Sequence, residues 1–123
     1  MQNQKISNTN RLISATLFSL KGIRAAWRHE IAFRQESVLA CVSVPLAFWI
    51  GTSVAQRALL IFSVLVVLIV ELLNSAIEAT VDRIGPEHHP KSELAKDMAS
   101  AAVLLSLVAA VSVWGIIIWY RLS

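Results

Sequence analysis

The chain has 123 residues, 56% of them hydrophobic and only 15% charged. Soluble globular domains carry about 25% charged residues. That balance, with a mean hydropathy of +0.64, excludes a soluble domain and indicates a small integral membrane protein of formal net charge +3.

In chain order, residues 1–10 (MQNQKISNTN) are polar and read as loose. No cleavable signal peptide is expected, because the first long apolar run starts only near Val38. Residues 11–36 are amphipathic. Ile13, Leu17, Leu20, Trp27 and Ile31 share one helical face, Lys21 and Arg28 flank it, and Arg24 lies at its margin. An apolar stripe edged by cations predicts a helix in the membrane interface, with Trp27 at headgroup level and Gly22 as a candidate kink. The competing reading, a helix packed on a protein core, has little soluble chain to supply that core.

Three apolar spans follow, over 38–55, 58–81 and 98–120, each near the roughly 20 residues a bilayer requires. Pro45 is tolerable within the first, Trp49 marks its far end, and Gln56–Arg57 make a short turn. Cys41, the single cysteine, reads as a small buried hydrophobe and rules out a disulfide within the chain. The 82–97 connection, DRIGPEHHPKSELAKD, is polar and broken by Gly85, Pro86 and Pro90, with Ser92 as a candidate cap for the last helix. Trp119 and Tyr120 anchor that helix at its far end. The expected fold is all-α: one membrane domain over 1–123, with three transmembrane helices and an N-terminal amphipathic surface helix.

Lys5, Arg11, Lys21, Arg24, Arg28 and Arg34 precede the first span, and Arg83, Lys91 and Lys96 lie in the 82–97 connection. Only Arg57 and Arg121 fall on the opposite side. The positive-inside rule therefore places the surface helix and the connection in the cytoplasm. Glu30, Glu36, Glu71, Glu78, Asp82, Glu87, Glu93 and Asp97 all belong to that half. A site built from them faces the compartment that contains ATP.

The acids fall into two groups. On a helix turning about 100° per residue, Glu71, Asn74, Glu78 and Asp82 lie within about 80° of one another. The apolar run Val64 to Val70 leads into Glu71, so this residue starts within the bilayer. A charge in mid-bilayer costs roughly 2.5–3.5 kcal/mol and marks a functional site by default. The bland alternative is a hydrogen bond between packed helices, but packing requires one polar contact, not a ladder of repelling anions. Glu93, Lys96, Asp97 and Ser100 share a second face where the last span enters the membrane. Hard oxygen ligands suit magnesium, which takes one or two carboxylates plus substrate phosphates, and a nearby lysine suits a phosphate. A carboxylate about 10 Å below Glu78 suits a general base for a lipid hydroxyl. His88 and His89 are adjacent and diverge on a helix, so they read as loop histidines or nucleotide contacts. GxxxxGK[ST] and GxGxxG are both absent, which argues against the familiar kinase folds.

The run VELLNSAIEATVDRIG at 70–85, with AKDMASAAV at 95–103 and KGIRAAWRHEIAFRQE at 21–36, resembles the bacterial integral-membrane diacylglycerol kinases. The resemblance covers roughly residues 11–120. It implies transfer of the γ-phosphoryl group of MgATP to the primary hydroxyl of diacylglycerol, giving phosphatidic acid. It also implies a homotrimer in the bacterial inner membrane, with active sites shared between subunits and no nucleic-acid partner.

By the same resemblance Glu71 is the general base, Asn74 lies in the catalytic core, and Glu30 and Glu78 hold the metal with the ATP phosphates. Arg11, Glu87, His89, Lys96 and Asp97 match nucleotide-contact positions. Gln35, Glu36, Ser100 and Trp114 match the lipid site, and Arg11 and Glu71 are also placed at the substrate. Two departures stand out. Phe18 replaces a tyrosine near the nucleotide, and GPEHHP matches only in part. Three helices cannot enclose both ATP and a lipid, so oligomerisation is also physically reasonable.

Three other functions compete. Undecaprenol kinases share the E-x-x-N-S-x-x-E core, but RAAW and FRQE are closer to the diacylglycerol enzymes. A small proton-coupled transporter usually has four spans and a lone acid in the first, and acids gathered at one edge are wrongly placed for alternating access. A structural membrane subunit leaves the one-sided acids unexplained.

Overall fold

The structure is a computed structural model and describes residues 7–123. It contains α1 (Asn8–His29), α2 (Ile31–Ile50), α3 (Val54–Ile84) and α4 (Pro90–Leu122), and no strand among the described residues. The last three helices are each long and apolar enough to cross a membrane. The protein is an all-α integral membrane protein.

The helix ends differ from those expected, each for a local reason. Helix α1 begins at Asn8, with the Ser7 hydroxyl accepting from the Thr9 amide at 3.2 Å. Residues 8–10, expected to be loose, are therefore helical, while the loose reading of 1–6 lies outside the described residues. Gly22 does not divide α1, which runs unbroken through it. The continuous helix expected over 11–36 is instead divided at Glu30, whose backbone is extended (φ −114°, ψ 108°). Residues 31–36 consequently belong to α2, the first spanning helix.

That helix stops at Gly51 rather than Ala55, and the turn lies at Gly51–Ser53 rather than Gln56–Arg57. Ser53 Oγ accepts from the Gln56 amide at 3.1 Å, while Gln56 Oε1 accepts from the Thr52 amide at 2.9 Å. A side chain at Gly51 would bring its Cβ to 2.6 Å from Arg57 Cγ and 2.9 Å from the Ala47 carbonyl oxygen, so the close turn requires glycine. Pro45 sits inside α2 without ending it.

Helix α3 runs past Val81 to Ile84 and ends at Gly85, whose φ of 147° is open to glycine. Helix α4 starts at Pro90 rather than Met98. Its N-cap is His89, whose Nδ1 accepts from the Lys91 amide at 3.1 Å, and not Ser92. Proline at the first helical position explains the shift, since its ring fixes φ and it lacks the amide that would otherwise need a partner. The long connection expected over 82–97 thus shrinks to residues 85–89.

At 1.5 Å per residue, the 31 residues of α3 and 33 of α4 reach roughly 46 and 50 Å. The hydrocarbon core is only about 30 Å thick. Both helices therefore overhang it, and their joined ends carry Glu78, Asp82, Lys96 and Asp97.

Helix α3 packs most extensively on α4 and next on α2. The buried centre is small: Ala47, Leu60 and Ile117, flanked by Ile50, Ile61, Val113 and Trp114. Large apolar side chains elsewhere face outward, including Leu104, Leu105 and Val111 on α4. Ile13, Leu17, Leu20 and Trp27 on α1 are exposed too, and Ala26 is the buried residue of that helix. The apolar stripe of α1 is therefore left uncovered within the chain, as a helix lying on a membrane would present it. Cys41 is exposed, contrary to expectation. Helix α2 turns Phe33, Ala40 and Ala47 inward, and one residue beyond Ala40 the helix has rotated by about 100°.

Candidate active site

The acid stripe of α3 is graded by depth. Glu71 is only 6% exposed, Asn74 and Glu78 are half-buried, and Asp82 is exposed. Across from Glu71 stands Glu36 of α2, so the two carboxyl groups face each other. Glu78 and Glu30 lie within electrostatic reach of the same carboxyl. The backbone break at Glu30 puts that residue at the corner between α1 and α2. The structure thus gathers Glu30, Glu36, Glu71 and Glu78 from the α1–α2 corner and two helices. Glu36 Oε2 and Asn74 Oδ1 are buried acceptors with no hydrogen-bond partner. A buried acceptor left unpaired costs about 1–3 kcal/mol, which makes both atoms natural acceptors for a ligand's donor.

Two cavities and a groove adjoin the acids. The first, about 410 Å³, lies at the joined ends of α3 and α4 and is lined by Asp82, Glu87, His88, His89, Lys96 and Asp97 among others. Lys96 Nζ donates to Asp82 Oδ1 at 2.6 Å. That pairing holds the ammonium, which precedes the apolar part of α4, above its ordinary pKa. Lys96 is thus paired with an exposed carboxylate in this structure. His88 Nε2 lies 3.2 Å from Glu93 Oε2, and His89 spends Nδ1 on capping α4, which leaves Nε2 for any ligand. The second cavity, about 220 Å³, is almost wholly apolar; Glu36 and Trp114 line it with Val64, Val67 and Leu107. The groove, about 670 Å³, runs between α1 and α3 past Glu30, His29, Ala26 and Ser75.

Six of the expected residues line none of these three spaces: Glu71, Asn74 and Glu78, which are buried or half-buried on α3, and Arg11, Gln35 and Ser100, which are exposed. Among the described residues no three His, Cys, Asp or Glu side chains converge closely enough to hold a metal by themselves.

Sequence reasoning missed two contacts. Asp82 pairs with Lys96, which the hairpin explains: the two lie equally far from His89, where α3 and α4 run antiparallel. Trp114 Nε1 donates to Ser63 Oγ at 3.2 Å. A lone serine in an apolar run was the available signal for that one.

A bundle of membrane-spanning helices that gathers carboxyl groups near both a polar cavity and an apolar one can bring a polar and an apolar reactant to the same acids. Fold and site together are those of a small membrane-embedded enzyme. Residues 17–118 match the family model described as prokaryotic diacylglycerol kinase. The chain is 54% identical over 109 residues to the diacylglycerol kinase of Escherichia coli (strain K12), covering 89% of each chain. It is 51% identical over 108 residues to that of Pseudomonas aeruginosa, covering 88% of each. With that of Haemophilus influenzae it shares 45% identity over 116 residues, covering 94% of this chain and 98% of the relative. The chain belongs to the prokaryotic diacylglycerol kinase family and is an enzyme of that class, a multi-pass bacterial membrane protein.

Proposed function

We propose that the protein transfers the γ-phosphoryl group of ATP to the primary hydroxyl of diacylglycerol at the cytoplasmic face of the membrane. The observation that carries this reading is the position of Glu71. It is buried and faced by Glu36, which lines the apolar cavity, while Glu78 and Asp82 lead from it along α3 towards the polar cavity. The nucleotide occupies the polar end, contacted by Glu87, His89, Lys96 and Asp97, with Lys96 exchanging Asp82 for a phosphate. The acyl chains occupy the apolar cavity beside Trp114, and the hydroxyl donates to Glu71.

Glu71 takes the hydroxyl proton as the lipid oxygen bonds to the γ-phosphorus and the bond to the β-bridging oxygen breaks. ADP leaves, and Glu71 returns the proton to water. In such transfers positioning and charge neutralisation do most of the work. Glu30 and Glu78 offer hard carboxylate oxygens beside the base. Two carboxylates with phosphate and water oxygens make a donor set that fits magnesium without a third protein ligand. When bound, the ion neutralises phosphate charge.

Arg11, Gln35 and Ser100 lie outside the cavities of one chain, and the lateral apolar faces are open. The residues outside the cavities support an oligomer in which a neighbour brings them to the site, and the resemblance to the family makes that oligomer a homotrimer. The test is ADP release from purified protein in mixed micelles with MgATP, with added diacylglycerol, with undecaprenol, and with neither lipid. Release dependent on diacylglycerol is expected. Release with undecaprenol alone changes the substrate, and no release from a folded oligomer overturns the reading.

A further inference from the structure

The apolar cavity has a polar fastening at one corner. Trp114 lines it from α4 and is half-buried. Its indole N–H donates to Ser63 Oγ on α3, 51 residues away in the chain. Ser63 is only 7% exposed, and its own hydroxyl donates to the Leu60 carbonyl at 2.8 Å. The single hydroxyl proton is thus committed to the backbone, which leaves a lone pair aimed at the indole. The relay has one direction, from Trp114 to Ser63 to Leu60, and ends in the buried centre of the bundle.

An indole N–H facing apolar side chains must find an acceptor, and in the bilayer no water supplies one. Ser63 is therefore what holds the ring in one orientation. Along α3 the cavity wall is Val67 and Val64, and the next residue towards the far side of the membrane is Ser63. The acids stand at the opposite end of this wall: Glu71 lies about 12 Å from Ser63 along the helix axis. An acyl chain entering from the Glu36 side thus meets the Trp114 ring last.

We propose that Ser63 is a positioning residue that fixes Trp114 as the floor of the acyl cavity, and so sets the chain length the enzyme prefers. The inference rests on the lipid-side reading of this cavity given above. An apolar pocket discriminates one methylene by roughly tenfold or more where the ring cannot yield. Free of its hydrogen bond, the indole swings and the limit softens.

The test uses a background in which Trp27, Trp49 and Trp119 are phenylalanine, so that Trp114 alone fluoresces. In that background Ser63→Ala and Ser63→Thr are compared with the parent. kcat/KM is measured for saturated diacylglycerols of increasing acyl length. Separately, quenching of Trp114 is measured with diacylglycerols brominated near the carbonyl or at the chain end, dilute in unbrominated detergent. In the parent, chain-end bromine quenches and carbonyl-proximal bromine does not. Ser63→Ala broadens and blue-shifts the emission, and raises kcat/KM for chains beyond the optimum about tenfold relative to the optimum itself. Ser63→Thr, which keeps the acceptor, restores both.

A uniform change at every chain length, or an unaltered emission band in Ser63→Ala, overturns the proposal. The two readings fail separately. Chain-end quenching in a protein that phosphorylates no lipid defeats the proposed function and leaves the floor standing. Lipid phosphorylation without chain-end quenching defeats the floor alone.

Discussion

Replacing Glu71 with glutamine isolates proton transfer from everything else the site does. The amide has nearly the volume of the carboxyl, so a position only 6% exposed is neither emptied nor overfilled. Its NH₂ group faces Glu36, whose Oε2 has no partner, and can donate there. Packing and assembly are thus preserved, and one of several mutually repelling acids is removed. What is lost is the ability to take a proton. A positioned general base contributes about 10²–10⁴ in rate, which corresponds to roughly 3–5 kcal/mol of barrier. The expected result is a kcat lower by that factor, with the KM for ATP and the oligomeric state little changed. The assay is ADP release in mixed micelles, paired with size-exclusion chromatography and a thermal melt of the same sample. Turnover near that of the unsubstituted protein, with the melt unchanged, would refute the assignment of Glu71 as base.

Other substitutions probe separate parts of the structure. Glu78→Ala should raise the magnesium concentration needed for half-maximal activity, and an unchanged magnesium titration removes Glu78 from the metal site. Asp82→Asn releases Lys96 from an exposed ion pair. Such pairs contribute at most about 1 kcal/mol, so the melt should barely move while the KM for ATP falls; a rise in KM would mean that Asp82 orients Lys96 rather than competing for it. Gly51→Ala places a methyl group against Arg57 and the Ala47 carbonyl. Overpacking of this kind costs about 1–3 kcal/mol, to be read from equilibrium unfolding in denaturing detergent, and full stability would show that the turn relaxes freely.

The sequence announced the spans but not their ends, for a physical reason. Hydropathy reports where lipid begins, whereas a helix ends where its hydrogen bonds do. Helices α3 and α4 carry on through polar residues, so the 82–97 connection looked three times too long. The break at Glu30 has neither glycine nor proline beside it and left no local mark. The His89 cap did leave one, since Pro90 at a first helical position points to the residue before it. The stripe from Glu71 to Asp82 was legible because it repeats with the helix. That Glu36 faces Glu71, and that Ser63 meets Trp114, are contacts between helices, and no single-helix periodicity encodes them.

The far end of α2 is fastened twice. Arg57 Nε donates to the Gly51 carbonyl at 3.1 Å. Arg121, stacked over Trp49 at 5.6 Å, donates to the Ile50 carbonyl at 3.0 Å. Cations thus close on the negative pole of the helix, one from each of its two neighbours. At its other end α2 meets α3 through a pair of acids. The two ends of α2 are therefore held by opposite arrangements of charge: cations sit on the helix carbonyls at one, and like carboxyl groups face each other at the other. A cation or proton taken up between Glu36 and Glu71 would relieve that second end and leave the first as it is.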